Sequence, residues 1–266
     1  MIAPLVTVII PAKDRIRLVK RAIRSTLNQS FSGSVEVLLV DDGSNPALKP
    51  LLGPLSKKIK IIRHSKSKGP SASRNIGLKL ARGKYVAFLD SDDEWNKNFL
   101  TVSLKALNQT NFVGTLSLSS KVYSTTIPRN QRLKIFLFNL VKDTLLLISY
   151  VFNQRRLPRS SSYLTQLSHM LFNKDSIKGL KFDPNLNYCE DWDFAANVLI
   201  KDNLLIIPQR LLQFYYSASS LSFTKASTEK NAYYIKYSKT LREQYPNSFY
   251  VVLFQIYTKY FLLGQQ

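Results

Sequence analysis

Cysteine and histidine are nearly missing from this chain. Its 266 residues include one cysteine, Cys189, and two histidines, His64 and His169. One thiol excludes an internal disulfide framework and suits a reducing compartment. The same scarcity excludes a zinc site of the usual ligand spacing. Acids are scarce too: 17 Asp and Glu stand against 38 Lys and Arg, giving a formal net charge of +21. There is no internal repeat and no low-complexity tract. The N-terminal apolar stretch, Met1 to Pro11, has no basic leader and is cut by two prolines, so it reads as a first strand and not as a signal peptide. The longest apolar stretch, Ile135 to Phe152, contains Asn139, Lys142, Asp143 and Ser149. Each central charge costs about 2.5–3.5 kcal/mol on insertion scales, which argues against a membrane span. A buried or interfacial amphipathic helix fits better, flanked by Arg129, Arg132 and Lys134 on one side and Arg155, Arg156 and Arg159 on the other.

The length suits one large α/β domain, or one domain with an appendage. A pI near 10.0 points to solvated basic faces, an anionic lipid surface or nucleic acid. No recognition-helix pattern and no RNP-type aromatic motif supports nucleic acid. The basic residues concentrate in Lys13 to Arg24 and Lys57 to Lys68, with smaller groups at 129–134 and 155–159.

The first hundred residues alternate strand and helix signals. Leu5 to Ile10 is a buried strand closed by Pro11, and Asp14 is placed to cap the next helix. Ile16, Val19, Ile23 and Leu27 form that helix's core face. Val35 to Val40 is an unbroken apolar strand suited to a parallel sheet covered on both sides. Ile59 to Ile62 is a third strand. Pro70 to Ala81 is a helix with Ile76, Leu80 and Leu78 inward, ended by Gly83. Tyr85 to Leu89 is a fourth strand, followed by a helix over Asn96 to Leu107 and a strand over Phe112 to Leu118. This order predicts βαβ units in an α/β fold. Further on, Leu164 to Asn173 fits a strand or a short helix, and Tyr188 to Leu199 a helix with Asp191 in its first turn. Leu204 to Ile207 and Leu211 to Tyr216 fit two strands split by Pro208. Ser227 to Tyr245 and Phe249 to Leu263 fit two C-terminal helices. The aromatic-rich last one suits a membrane interface, a partner groove or packing onto the main domain.

The few acids gather at three points: Asp41-Asp42, Asp90-Ser91-Asp92-Asp93 and Glu190-Asp191-Trp192-Asp193. The first two follow apolar strands. Carboxylates at the C-terminal ends of such strands face the crevice where open α/β sheets bind ligands. Crowded there, they raise one another's pKa unless a cation or a hydrogen-bonding ligand offsets the repulsion. The economical reading is a site for a divalent metal and a polyhydroxylated, phosphate-bearing ligand.

Five strings in order, Val6-Thr7-Val8-Ile9-Ile10-Pro11-Ala12, Val40-Asp41-Asp42-Gly43-Ser44, Gly69 to Gly77, Gly83 to Asp93 and Glu190 to Asp193, resemble the signature series of family 2 glycosyltransferases, inverting enzymes of the GT-A fold. The resemblance covers about residues 4 to 222. It implies a Rossmann-like mixed sheet flanked by helices, with C-terminal helices. Residues 1–222 would be the catalytic domain, with 1–120 binding nucleotide and 121–222 binding acceptor, and 223–266 a helical extension. It implies that Pro11, Ala12, Asp41, Asp42, Lys68, Arg74, Asn75, Asp90, Asp92 and Trp192 bind substrate, with Asp42 the stronger choice for the base. Asp92 and Asp93 would hold Mn²⁺ or Mg²⁺ against the donor diphosphate. Asp191 would be the catalytic base and Glu190 its orienter. Trp192 and Trp95 also read as packing residues.

The implied activity is sugar transfer from a nucleoside diphosphate donor, UDP-linked by expectation, to a glycan or lipid-linked oligosaccharide in cell-surface polysaccharide synthesis. The setting would be cytoplasmic, peripheral at the inner face of the membrane, with anionic lipid as a partner and no nucleic acid. One departure stands out. Relatives carry an Arg and a His near a Ser-x-Ser that bind the diphosphate, and Phe214 to Ser222 here has neither. Neutralisation then rests on the metal, Arg74 and Lys225, or activity is weak. Rival readings are a nucleotidyltransferase, which would carry a Gly-rich basic loop after the first strand, and a non-catalytic glycan- or membrane-binding relative.

Overall fold

The computed structural model describes residues 3–153, 155–157, 166–186 and 189–216, with 239, 242–243 and 245–246 beyond them. One eight-stranded sheet forms the centre. Its strands are β1 (Val6–Ala12), β2 (Val35–Asp41), β3 (Lys60–Arg63), β4 (Tyr85–Phe88), β5 (Glu94–Trp95), β6 (Gly114–Tyr123), β7 (Met170–Asn173) and β8 (Leu204–Tyr216), in the order β3-β2-β1-β4-β7-β6-β8-β5. The first four pair in parallel, β7 runs antiparallel to both β4 and β6, and β8 is parallel to β6. The helices are α1 (Ile16–Leu27), α2 (Leu48–Leu52), α3 (Gly69–Leu80), α4 (Phe99–Asn108), α5 (Arg129–Phe152) and α6 (Glu190–Lys201).

The strand period of two divides the core between the sheet's faces. Ile9, Leu38, Val86, Phe88 and Phe172 pack with Phe182, Phe194 and Val198 on one face. Val8, Ile10, Val37, Leu39 and Ala87 pack with Val19 and Ile23 of α1 and Phe99 and Leu104 of α4 on the other. Phe182 and Phe194 stack with centroids 4.1 Å apart, and Phe88 meets Phe182 edge-on at 5.1 Å. Each buried phenyl ring contributes about 1.5–3 kcal/mol. Together they fix the start of α6 against the central strands.

Several expectations need correction. Pro11 does not close the first strand but lies within it. The Ile9 carbonyl accepts from Leu89 N–H on the β4 side. Two residues on, the missing Pro11 N–H falls past the end of β4, so no ladder bond is lost. Asp14 does not cap α1. The cap position is Arg15, and the Asp14 carboxylate accepts from Asn45 N–H at 2.9 Å. In α3 the buried face is Ser71, Ser73, Arg74 and Gly77, while Ile76, Leu78 and Leu80 are half-buried. Small residues are needed because α3 lies directly on β1. A Cβ at position 77 would sit 2.4 Å from Ile9 Cγ2.

Pro208 does not split a strand pair. β8 runs through it, and the register against β6 shifts instead, from Ile207↔Ser117 to Arg210↔Leu118. Such a bulge places Pro where no ladder bond is required. Leu164 to Asn173 resolves, from residue 166 on, into a 3₁₀ turn over Leu167–His169 followed by β7. The line expected between the two halves at 120/121 falls inside β6, so both share the sheet. The 223–266 extension and its two helices lie outside the described residues, save the few positions named above.

α5 buries polar residues alongside Leu145 and Leu146, which join the core, and leaves much of its apolar surface outside. Asn139, Lys142, Asp143 and Ser149 are buried, whereas Phe136, Leu140, Val141, Ile148, Val151 and Phe152 are exposed. Among the described residues no helix is long and apolar enough to cross a membrane.

Candidate active site

The parallel strands β1, β2 and β4 end at one edge, and the acidic turns lie along it. After β2, Asp41 accepts from Ser44 N–H (2.9 Å), Leu48 N–H (3.1 Å) and Arg63 Nη1 (2.5 Å). Asp42 accepts from His64 Nδ1 (2.9 Å), Ser67 Oγ (2.7 Å), Lys68 N–H (2.8 Å) and Gly69 N–H (3.0 Å). Burial opposes ionisation of both, but these hydrogen bonds prevail and hold both carboxyls below the usual carboxylate range. Gly43, at φ 72°, lets this turn approach the 66–67 backbone, where a Cβ would lie 2.7 Å from Ser67 N. Both carboxylates therefore organise the 43–48 and 64–69 loops around the cleft. The Lys68 side chain is exposed, and Pro11 and Ala12 are buried at the end of β1.

After β4, the 90–93 turn carries the second cluster. Asp92 meets Arg15 at 3.4 Å, and its carbonyl accepts from Arg21 Nη2. Arg21 also stacks 3.5 Å over the Tyr215 ring, and Tyr215 donates to Glu94 at 2.9 Å. The basic face of α1 is thus partly committed to this turn and is not simply solvated. Trp95 anchors the turn from below. It stacks on Phe99 at 4.1 Å and donates Nε1–H to the Ser168 carbonyl at 2.6 Å.

Asp93 is 1% exposed, and neither carboxylate oxygen has a hydrogen bond of good geometry, although Ser168 and the Tyr215 backbone lie nearby. Burial, then Asp90 and Asp92, pushes its pKa well above the ordinary value. Among the described residues no three metal-binding side chains form a preassembled cage. Two unsatisfied buried oxygens on a turn with two more carboxylates are nevertheless hard oxygen donors, the chemistry that suits Mg²⁺ or Mn²⁺.

Arg74 joins this turn to the third cluster. Its guanidinium donates Nη2–H to Asp90 at 2.8 Å and Nη1–H to Glu190 at 2.6 Å. Sequence reasoning aimed Arg74 at phosphate. Folding instead sets it between two carboxylates, so its charge is largely matched before any ligand arrives. Asn75 is likewise engaged: its amide donates to the Phe182 carbonyl at 2.8 Å and accepts from Phe182 N–H at 2.9 Å. Trp192 is half-buried and packs against the phenylalanine cluster.

Asp191 sits in the first turn of α6, with Trp192 N–H donating to its Oδ1 at 3.0 Å. Burial first, then Glu190, pushes its pKa up to about 7, against the opposing pull of Arg74. A carboxylate poised near neutrality suits a general base.

Three cations escaped the sequence reading. Lys142 of α5 is 4% exposed, and burial followed by Lys121 pushes its pKa down to about 7. Lys121 of β6 is pushed down to about 8 by burial. Arg210 pairs with Asp143 at 2.7 Å. A signal was present: Asn139, Lys142, Asp143 and Ser149 interrupt the apolar stretch at helical spacing, so they share one face. Ser217 to Ser222 and Lys225, expected near the diphosphate, lie outside the described residues.

Residues 7–180 match the family described as Glycosyl transferase family 2. An uncharacterized glycosyltransferase of Haemophilus influenzae is 28% identical over 86% of this chain and 84% of its own length. An uncharacterized glycosyltransferase of Rickettsia felis is 44% identical over 41% of this chain, and that stretch is 18% of the relative's length. The UDP-Glc:α-D-GlcNAc-diphosphoundecaprenol β-1,3-glucosyltransferase WfaP of Escherichia coli is 33% identical over 42% of each chain. Among solved structures, S. aureus TarS 1–349 in complex with UDP superposes with a TM-score of 0.69 at 17% identity, over 98% of this chain and 73% of that one. The Pyrobaculum calidifontis mannosyltransferase PcManGT, in complex with GDP-Man and Mn²⁺, gives 0.61 at 15% identity, over 97% of this chain and 70% of that one. These structures share the mixed sheet and its flanking helices, the GT-A architecture. With a family match running through more than half of its length, from β1 past β7, this chain belongs to glycosyl transferase family 2.

Proposed function

We propose that this chain is an inverting glycosyltransferase. It moves a sugar from a nucleoside diphosphate donor, preferably UDP-linked, to a hydroxyl of a glycan or lipid-linked oligosaccharide. The observation that carries the reading is the Arg74 bridge from Asp90 to Glu190, which gathers the turn after β4 and the start of α6 into one cleft. On one wall Asp93, with Asp92 or Asp90, would hold Mn²⁺ or Mg²⁺. Bound there, the ion supplies positive charge to the leaving diphosphate. On the other wall Asp191 accepts the proton of the acceptor hydroxyl as that oxygen attacks the anomeric carbon, and the diphosphate departs from the opposite face. Glu190, held by Arg74, keeps the start of α6 and hence Asp191 in place. The UDP complex of TarS, the Mn²⁺ complex of PcManGT and the lipid-linked acceptor of WfaP support the donor, ion and acceptor classes.

The cell-surface role carries with it a peripheral position at an anionic membrane on the cytoplasmic side. In support, the exposed apolar face of α5 is flanked by Arg129, Arg132, Arg155 and Arg156 on a chain of net charge +21. The test is a thermal-shift panel of UDP-, GDP-, dTDP- and CMP-sugars with and without Mn²⁺. It is followed by transfer from the best donor to diphosphoprenyl-linked acceptors, and by flotation with anionic and neutral vesicles. Stabilisation by a UDP-sugar that depends on Mn²⁺ is expected, with a β-linked product from an α-linked donor. Nucleotide-independent melting together with absence of transfer would refute the reading and favour a non-catalytic relative. Pyrophosphate release from a nucleoside triphosphate would favour a nucleotidyltransferase.

A further inference from the structure

Two lysines are drawn out of solvent near the acidic turns: Lys142 is buried and Lys121 half-buried. Lys142 comes from the inner face of α5, and Lys121 from the end of β6, where it pairs in register with Phe214 of β8. A buried lysine is normally ion-paired. Among the described residues neither forms an ion pair. The carboxylate that acts most strongly on both, Asp143, is already bonded to Arg210 at 2.7 Å. Lys121 has only the Ser119 hydroxyl and, 5.8 Å away, the Phe214 ring. The remaining acids that act on the pair are Asp191, on Lys142, and Asp93, on Lys121. Hydrogen bonds tie both elements to the cation-binding turn through β8: Asn139 of α5 donates to the Tyr216 hydroxyl at 3.0 Å, and Tyr215 donates to Glu94 at 2.9 Å. His169 lies beside both. It is 1% exposed, its Nε2 accepts from Gln166 N–H at 3.0 Å, and its Nδ1 has no partner.

We infer that Lys121 and Lys142 form a phosphate-anion subsite inside the cleft. This rests on the glycosyltransferase reading and supplies the cationic groups that reading lacks. The Arg74 charge is matched by Asp90 and Glu190, although its Nε–H has no partner, and the 214–222 segment has neither Arg nor His. An anion between the lysines would relieve their mutual repulsion and offset the cost of burying them. The phosphate belongs either to the donor's diphosphate or to a diphosphate-linked acceptor. Both present the same chemistry to an ammonium pair.

The experiment is calorimetric titration of the whole chain with UDP, uridine, inorganic pyrophosphate and geranyl diphosphate, with Mn²⁺ present. The parent is compared with Lys142→Met, Lys121→Met and Lys142→Arg. We expect each Met variant to weaken UDP and pyrophosphate about tenfold or more while leaving uridine unchanged, and Lys142→Arg to keep most of the affinity. A loss confined to geranyl diphosphate and pyrophosphate also supports the subsite and assigns it to the acceptor. Unchanged binding of all three anions by both Met variants overturns it, while UDP binding by the parent leaves the function standing. If the parent binds no nucleotide, the function falls, and pyrophosphate alone decides the subsite: a loss in the Met variants supports it, and no loss or no binding overturns it. Ligand-free melting separates a merely structural lysine from a binding one. Removal of an unmatched buried charge should leave Lys142→Met at least as stable as the parent, and a clear fall in its melting temperature would count against the inference.

Discussion

Arg74 Nη1 lies 2.6 Å from Glu190 Oε1, joining residues 116 apart in sequence and closing the cleft between α3 and α6. Both side chains are largely buried, at 5% and 12% exposure. Removing the cation strands a buried carboxylate. Arg74→Met should therefore cost about 3–5 kcal/mol in urea unfolding. The Asp90 arm, 35% exposed, adds little to that figure. Transfer should fall with stability, because the start of α6 loses its tether.

Asp191 sets the acid limb of the pH–rate profile. With its pKa pushed up to about 7, mainly by burial, a base must lose its proton before it works. Turnover should rise through about pH 7. Glu190→Gln removes a neighbouring negative charge that raises the pKa and should shift the limb to lower pH. Asp191→Asn should lose about 10²–10⁴ in turnover while retaining donor binding.

The same residue has a stability signature of opposite sign to most carboxylates. Asp191 titrates higher folded than unfolded, so its contribution to stability is full below the ordinary Asp range and is lost as pH rises through about 7. Asp191→Asn should accordingly melt above the parent at pH 8, with the gap closing near pH 4. A melting temperature lowered at pH 8 would contradict this.

Asp93 offers the cleanest test of the cation. At a free Mn²⁺ level of 100 times its Kd, binding stabilises by about 2.7 kcal/mol. Asp93→Asn should abolish that gain in differential scanning calorimetry. Without metal it should melt no lower than the parent, because the substitution removes a buried carboxylate that has no hydrogen bond of good geometry.

Gly77→Ala sets two known effects against each other. Helix propensity favours Ala by about 1 kcal/mol. Against it, the added Cβ would lie 2.4 Å from Cγ2 of the stiff, β-branched Ile9 in the central strand. Overpacking of this kind costs about 1–3 kcal/mol, so net destabilisation by chemical denaturation is expected.

The α/β alternation, the placement of β1, β2 and β4, and the acidic turns after β2 and β4 were all legible from local pattern. Apolar runs of strand length ended by Asp and Gly carry that information in adjacent residues. The helix α6 was legible from its opening acids and apolar spacing, with its start expected at Tyr188 and found at Glu190. The misreadings at Asp14, on the buried face of α3 and at Pro208 share a cause. Each depends on what lies across the contact: Asn45 for Asp14, Ile9 for Gly77, and the β6 register for Pro208. None of these is near in sequence.

By itself, then, the sequence determined which residue types stand at the ends of which elements, and with them the family and the acids that could do chemistry. Tertiary structure alone decided how those acids are partnered. It matched Arg74 to Asp90 and Glu190, left Asp93 without a hydrogen bond of good geometry and buried Lys142 of α5 without an ion pair. The reason is physical. Strand and helix periods are set by neighbours along the chain, whereas burial and charge pairing, which fix protonation and binding, are set by groups that only folding brings together.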